Sequence, residues 1–370
     1  MMLAARAWAS LSMYESTDLV KRFAKQRTGR SPNTTRAREI SAHFAQGREY
    51  FRNAAGAGEL VRPLILYYGV AALVRGTVLF LDTSKSKLEA AHGLDATGWD
   101  DLLTRPRRLP EAKVKIGNGG TFPELARLVG NTEWVRVHTG ESPGVADAES
   151  PGTGLAAEAT LTIKEILGQI PDVAALYERT FGEHSRRLRA EISYTGLTRS
   201  TGDPEPPPDE NRTGHSWVGI LPSAPPLRFP EKGWAEGLLA STPLGRLGRI
   251  LYEGFLHVPG GKSPASYGRM HDLNTEAGSR NEPRLQMPVA ADTFGEQHLK
   301  LPTDEGVVLS TLLALHLIAY AAGMLVRYHP GYWSMLVGRA EGSEIAPLLS
   351  AAVSTVEERY PALILEAIGG

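Results

Sequence analysis

Two long apolar runs lie at opposite ends of this chain, and any fold it adopts has to hide both. Leu60 to Leu81 reads LVRPLILYYGVAALVRGTVLFL, and Val307 to Val326 reads VVLSTLLALHLIAYAAGMLV. Each is near the length of a membrane span. The first nevertheless carries Arg62, Pro63 and Arg75, with Arg75 deep enough to make insertion costly, and the second has His316 at its middle. A helix that is apolar nearly all round also suits the centre of a large soluble domain, and two such helices packed together form one core. The pattern predicts a protein outside the membrane whose two ends fold back on each other.

At 370 residues the chain is long enough to bury such a core without covalent staples. It contains no cysteine, which excludes a disulfide framework, thiolate zinc sites, iron–sulfur ligation and thiol nucleophiles. Lys and Arg number 40 against 41 Asp and Glu, for a formal net charge of -1, so the balance does not suggest a dedicated nucleic-acid scaffold. Met1 to Trp8 lacks the sustained apolar region of a signal peptide, and a cytoplasmic location is expected.

Around the apolar runs the periodicity changes along the chain. Thr17 to Lys25 and Thr34 to Ala55 read as helices, with Ile40, Phe44 and Phe51 spaced four and seven apart on one face. Lys113 to Ile116, Trp134 to His138 and Arg189 to Thr195 alternate like strands, and Phe122 to Val129 reads as a helix opened by Pro123. Leu161 to Phe181 looks helical with a break at Pro171. Thr303 is a candidate cap for the second apolar helix, which Arg327 and Pro330 terminate, and Ile345 to Arg359 is amphipathic, followed by an apolar turn from Ala362 to Ile368. The expected fold is α+β and predominantly helical. Residues 1–110 and 300–370 would form a discontinuous helical core, and 111–299 a mixed insertion with exposed loops at 202–214 and 258–288, both rich in turn-forming residues.

The run Arg62-Pro63-Leu64-Ile65-Leu66-Tyr67-Tyr68-Gly69, then His92-Gly93-Leu94, then Gly323-Met324-Leu325-Val326-Arg327-Tyr328-His329-Pro330 with Trp333, resembles the YaaC-like proteins of bacteria in order and spacing. The likeness runs from about Trp8 to Pro361-Ala362-Leu363-Ile364-Leu365, and is weaker between Gly140 and Asp304. It implies a bacterial intracellular protein and carries no catalytic residues to transfer.

Two readings of function follow from the residues. In the first, the chain is a ligand-binding or protein-interaction module. Arg327 and His329 face a cleft and hold a small anionic ligand, Arg62 joins from the other apolar helix, and Tyr67, Tyr68 and Tyr328 line the site. The same residues also read simply as a helix terminator with a packed aromatic cluster. In the alternative, Arg38 and His43 are the working pair of a metal-independent HEPN-type ribonuclease, a toxin or phage-defence effector that would act on RNA, with a homodimer presenting the groove. Arg36/His43 and Arg179/His184 have comparable spacing, so the motif alone carries little information.

Other motifs add little. Gly117-Asn118-Gly119-Gly120-Thr121 is a glycine turn before a helix, of a kind that can cradle phosphate. Gly260-Gly261-Lys262-Ser263 lacks the first glycine of a P-loop, Leu256 standing in its place, and Pro264 follows. Glu89-x-x-His92 has the spacing of half a di-iron site without a second copy, and no His-x-x-x-His occurs, so no metal and no cofactor are expected. His316 reads as a neutral core histidine with one hydrogen bond.

Overall fold

The structure is a computed structural model that describes residues 2–83, 88, 91–96, 98–104, 106–130, 133–139, 145–150, 158–196, 213–220, 266–272, 289–301, 303 and 305–369. The chain divides into two compact units. The first comprises Met1–Asn131, Gly154–Thr180 and Leu309–Gly370; the second comprises Thr132–Thr153 and Phe181–Val308. Residues 111–131 and 154–180 therefore group with the termini.

In the first unit, helices α1 (Met2–Leu11), α2 (Thr17–Thr28) and α3 (Thr34–Ala55) lead into α4 (Arg62–Leu81). The starts of α2, α3 and α4 each have a local cause. The Ser16 hydroxyl accepts from the Leu19 N–H, Asn33 Oδ1 accepts from the Arg36 N–H at 2.8 Å, and Pro63 occupies the first turn of α4, where its missing donor costs nothing. Gly29, at φ 73°, ends α2 in the left-handed conformation that glycine adopts without strain. The Arg36 guanidinium binds the Leu79 and Asp82 carbonyls and so closes the open end of α4.

Short strands β1 (Leu94–Asp95), β2 (Lys113–Ile116) and β5 (Thr160–Thr162) form a small antiparallel sheet in the order β1-β2-β5. Helices α5 (Trp99–Leu102), α6 (Thr121–Val129), α7 (Ile163–Leu167) and α8 (Ala174–Phe181) lie between and after these strands. Leu161, expected in a helix, is thus in a strand. The helix starts only at Ile163 because Thr162 and Glu165 form a reciprocal capping box there, and a 3₁₀ turn at Pro171–Val173 separates α7 from α8.

The unit closes with α9 (Thr311–Tyr328), α10 (Pro330–Val337) and α11 (Ala346–Ala367). The cap of α9 is Ser310, whose hydroxyl accepts from the Leu313 N–H at 3.4 Å. Thr303 instead accepts from the Val307 N–H at 3.1 Å, so 303–307 forms its own turn and the helix begins later than the apolar pattern suggests. The last helix continues through Pro361 rather than stopping at Arg359. Both apolar runs are helices long and apolar enough to cross a membrane, and 67% of the residues in the most apolar stretch of α4 and 83% of those in α9 are buried within the protein. They pack against each other, with the Tyr67 and Tyr320 ring centroids 5.7 Å apart. A Cβ on Gly323 would lie 2.9 Å from the Tyr67 Cβ, which measures how closely the two backbones approach.

In the second unit, β3 (Glu133–Thr139), β4 (Val145–Ser150), β6 (Arg187–Gly196), β9 (Val289–Ala291) and β10 (Gln297–Lys300) form a sheet in the order β4-β3-β6-β10-β9. β7 (Thr213–Ile220) pairs with β6 and with β8 (Ser266–Asp272). Only β3 and β6 run parallel among the described pairs. Ser266–Asp272 lies inside the stretch 258–288 expected to be irregular, and Thr213 and Gly214 likewise begin a strand rather than end the loop 202–214. Residues 202–212 and the remainder of 258–288, including the Gly260 to Ser263 run, lie outside the described residues. The molecule is an α+β protein, predominantly helical.

Candidate functional site

Tyrosines of α4 and α9 collect where the two helices pack together in the first unit. Tyr67 and Tyr68 lie side by side with ring centroids 5.8 Å apart, Tyr50 of α3 lies 5.8 Å from Tyr68, and Tyr320 continues the row from Tyr67. His92 ends it, 5.1 Å from the Tyr320 ring. Tyr67 and Tyr320 are buried, whereas Tyr68 and His92 keep exposed edges.

The loop around His92 is tied down by the glycine turn. Gly117 N–H donates to the Gly93 carbonyl at 2.9 Å, Thr121 N–H to the Ala91 carbonyl at 3.0 Å, and Phe122 N–H to the His92 carbonyl at 3.0 Å. Donors that a phosphate would need at Gly117, Thr121 and Phe122 are thus spent on protein carbonyls. Gly93 and Gly120 both have positive φ, and a Cβ on Gly120 would come within 2.5 Å of the Gly93 nitrogen, so these two backbones touch. His92 Nδ1 accepts the Leu94 N–H at 3.1 Å, which leaves its proton on Nε2 when the ring is neutral. Tyr320 donates its hydroxyl to the Leu94 carbonyl at 3.3 Å.

Arg327 sits at the end of α9 with its guanidinium 5.0 Å from the centroid of the exposed Tyr328 ring. Among the described residues it makes no ion pair. Its field reaches both Tyr67 and His92. Burial, reinforced by Tyr68, pushes the Tyr67 hydroxyl up to about 12, while Arg75 and Arg327 pull it the other way. Burial lowers the His92 imidazole, Asp95 opposes that, and Arg327 adds to it. Arg327, Tyr67 and His92 carry a guanidinium, a phenol and an imidazole Nε2–H, three kinds of hydrogen-bond donor.

Two of the residues predicted from sequence lie beside carboxylates. Arg62 is held by Glu357 of α11, its Nε 2.9 Å from Oε2. His329 Nδ1 lies 3.7 Å from the Asp100 carboxylate, with its ring beside Trp99. Tyr67 packs beside Tyr68, Arg327 lies over Tyr328 with its field reaching Tyr67, and Arg62 and His329 each face a carboxylate. Sequence reading missed Tyr320, which shares a helical face with Gly323 and Arg327 at intervals of three and seven, and missed His92 as part of this cluster. Glu89, the other half of the di-iron spacing, lies outside the described residues.

A family model described as YaaC-like protein matches residues 12–206 and 255–368, which include α4, the His92 loop and α9. The chain belongs to the YaaC-like family. No curated protein and no solved structure matches it.

For this YaaC-like protein, the pair of the alternative reading lies on α3. Arg38 is exposed; His43 is half-buried along the seam with α4, its Cβ 3.3 Å from where a Cβ on Gly76 would stand. Five residues on one helix place the two about 140° apart around its axis, and no hydrogen bond or ion pair joins them among the described residues. Burial and Arg75 lower the His43 imidazole, against a smaller opposing effect of Glu39.

Proposed function

We propose that this YaaC-like protein is a cytoplasmic ligand-binding or interaction module that takes an anionic group at Arg327, with Tyr67 and His92 as further donors and Tyr68 and Tyr328 at the rim. The observation that supports this reading most is the exposed Arg327 guanidinium, without a carboxylate partner among the described residues, beside a buried phenol and a loop-anchored imidazole. A charged group held by such donors gains about 1.5–3 kcal/mol per hydrogen bond.

Calorimetric titration with inorganic phosphate and with citrate tests the reading. Arg327→Ala should weaken binding of the anion by about 10-fold or more, while Arg38→Ala, on an exposed surface of α3, leaves it unchanged. Equal affinity in wild type and Arg327→Ala would remove the proposal. Cleavage of RNA by the wild type that disappears in His43→Ala would put the ribonuclease reading in its place.

A further inference from the structure

We propose that the β9–β10 hairpin of the second unit binds a divalent transition-metal ion of zinc-like chemistry through Asp292, Glu296 and His298. One ligand atom from each of these residues lies within 4.8 Å of the other two. His298 is only 2% exposed, yet among the described residues neither of its ring nitrogens has a partner within hydrogen-bond distance. Burying a polar ring unsatisfied costs free energy, and an absent ligand is one physical reason for a protein to do it. His298 Nε2 faces Asp292 Oδ2 at 3.6 Å. That separation is too long for a hydrogen bond, but it is close to the ~3.3 Å spanned by two ligands of a tetrahedral ion with bonds of about 2.0 Å.

The backbone places the three groups. Gln297 pairs with Ala291 and His298 with Ala290, so Asp292 and Glu296 stand opposite each other at the turn end of the hairpin. Glu296 and His298 are two residues apart, which puts them on one side where the strand geometry holds. Asp292 Oδ1 accepts the N–H groups of Phe294 and Glu296, both at 2.9 Å, and thereby fixes the carboxylate with Oδ2 toward His298. An imidazole nitrogen with two carboxylates suits zinc and its neighbours, whereas magnesium and calcium favour oxygen alone. Three protein ligands leave a fourth position for water or another group, and the exposed Glu296 marks the side from which an ion enters. No metal is expected from sequence because the ligands fit no helical His motif; the hairpin register unites them.

The test uses the full-length protein, stripped with a chelator and titrated with Co²⁺, followed by competition with Zn²⁺. One equivalent of Co²⁺ should bind with visible d–d absorption, and Zn²⁺ should displace it. Glu296→Gln, at an exposed position, and Asp292→Asn, which keeps the oxygen that accepts the turn N–H groups, should each weaken binding at least ~10-fold, with circular dichroism showing both variants folded. Unchanged affinity in the folded double variant assigns the ion to other histidines and overturns the proposal. Absence of one-equivalent uptake, or displacement by Ca²⁺ as effective as by Zn²⁺, overturns it as well.

Discussion

His316 shows what one buried titratable side chain does to the stability of this core. It lies on α9, fully enclosed, with Nδ1 3.4 Å from the Tyr360 hydroxyl and its ring edge-on to Phe122 at 4.9 Å. Burial, with a smaller contribution from His92, lowers its pKa from 6.5 to about 3. Between those two values the unfolded chain binds a proton that the native protein excludes. The stabilisation from keeping this ring neutral is therefore complete above about pH 6.5 and declines as the pH falls toward 3, by about 1.4 kcal/mol per pH unit. Urea unfolding at pH 7 and pH 5 should show a loss of roughly 2 kcal/mol from this group. His316→Leu should be less stable at pH 7, having lost the Tyr360 contact, but should lose that part of the pH dependence. Identical slopes in the two proteins would assign the acid sensitivity to other groups.

At the level of elements, the packing of α4 is set by residues without side chains. A Cβ on Gly69 would lie 2.7 Å from the Phe51 ring, one on Gly47 2.7 Å from Leu73, and one on Gly323 2.9 Å from the Tyr67 Cβ. The last clash is with an atom fixed to the α4 backbone, so Gly323→Ala must push α9 and α4 apart. That strain, about 1–3 kcal/mol, outweighs the gain of up to about 1 kcal/mol in helix propensity. Gly331, on α10, has nothing within 4 Å of its would-be Cβ. Gly331→Ala should therefore be neutral or stabilising, and thermal unfolding of the two variants compares them directly. A Gly323→Ala protein as stable as the wild type would show that the helices slide apart freely. The helical periods of α2 and α3 and the alternation of β2 were legible in sequence because each records burial on one face, β3 and β6 were legible from alternation alone, and α4 was legible as a run apolar nearly all round. The start of α9 after the Ser310 cap was not, because Leu309 donates its N–H to Gln169 Oε1, 140 residues away, and stays outside the helix despite its apolar character. Ser266–Asp272 was hidden for a related reason: a Gly- and Pro-rich surrounding reads as loop, while strand pairing with β7 comes from elsewhere in the chain.

At the scale of the molecule, the packing of the two apolar helices was foreseeable, but the destination of the charges was not. Spacing along the chain cannot reveal that Arg62 meets Glu357 or that His329 faces Asp100, carboxylates that lie far from them in sequence. The same long-range pairing also ties together the discontinuous segments of the first unit. Arg359 of α11 binds Asp172 in the 3₁₀ turn before α8 at 2.5 Å, with side-chain exposures of 10% and 8%. Removing one partner of so buried a pair strands a desolvated guanidinium, so Asp172→Ala should cost about 3–5 kcal/mol. The Arg62–Glu357 pair joins the same helix to α4 but is more open, at 25% and 23%, and solvent competes for both ions. Glu357→Ala should cost no more than about 1 kcal/mol. Urea midpoints of the two variants measure the difference. If Asp172→Ala unfolds no earlier than Glu357→Ala, the buried pair does not fasten the middle segment to the C-terminal helix, and apolar packing alone joins them.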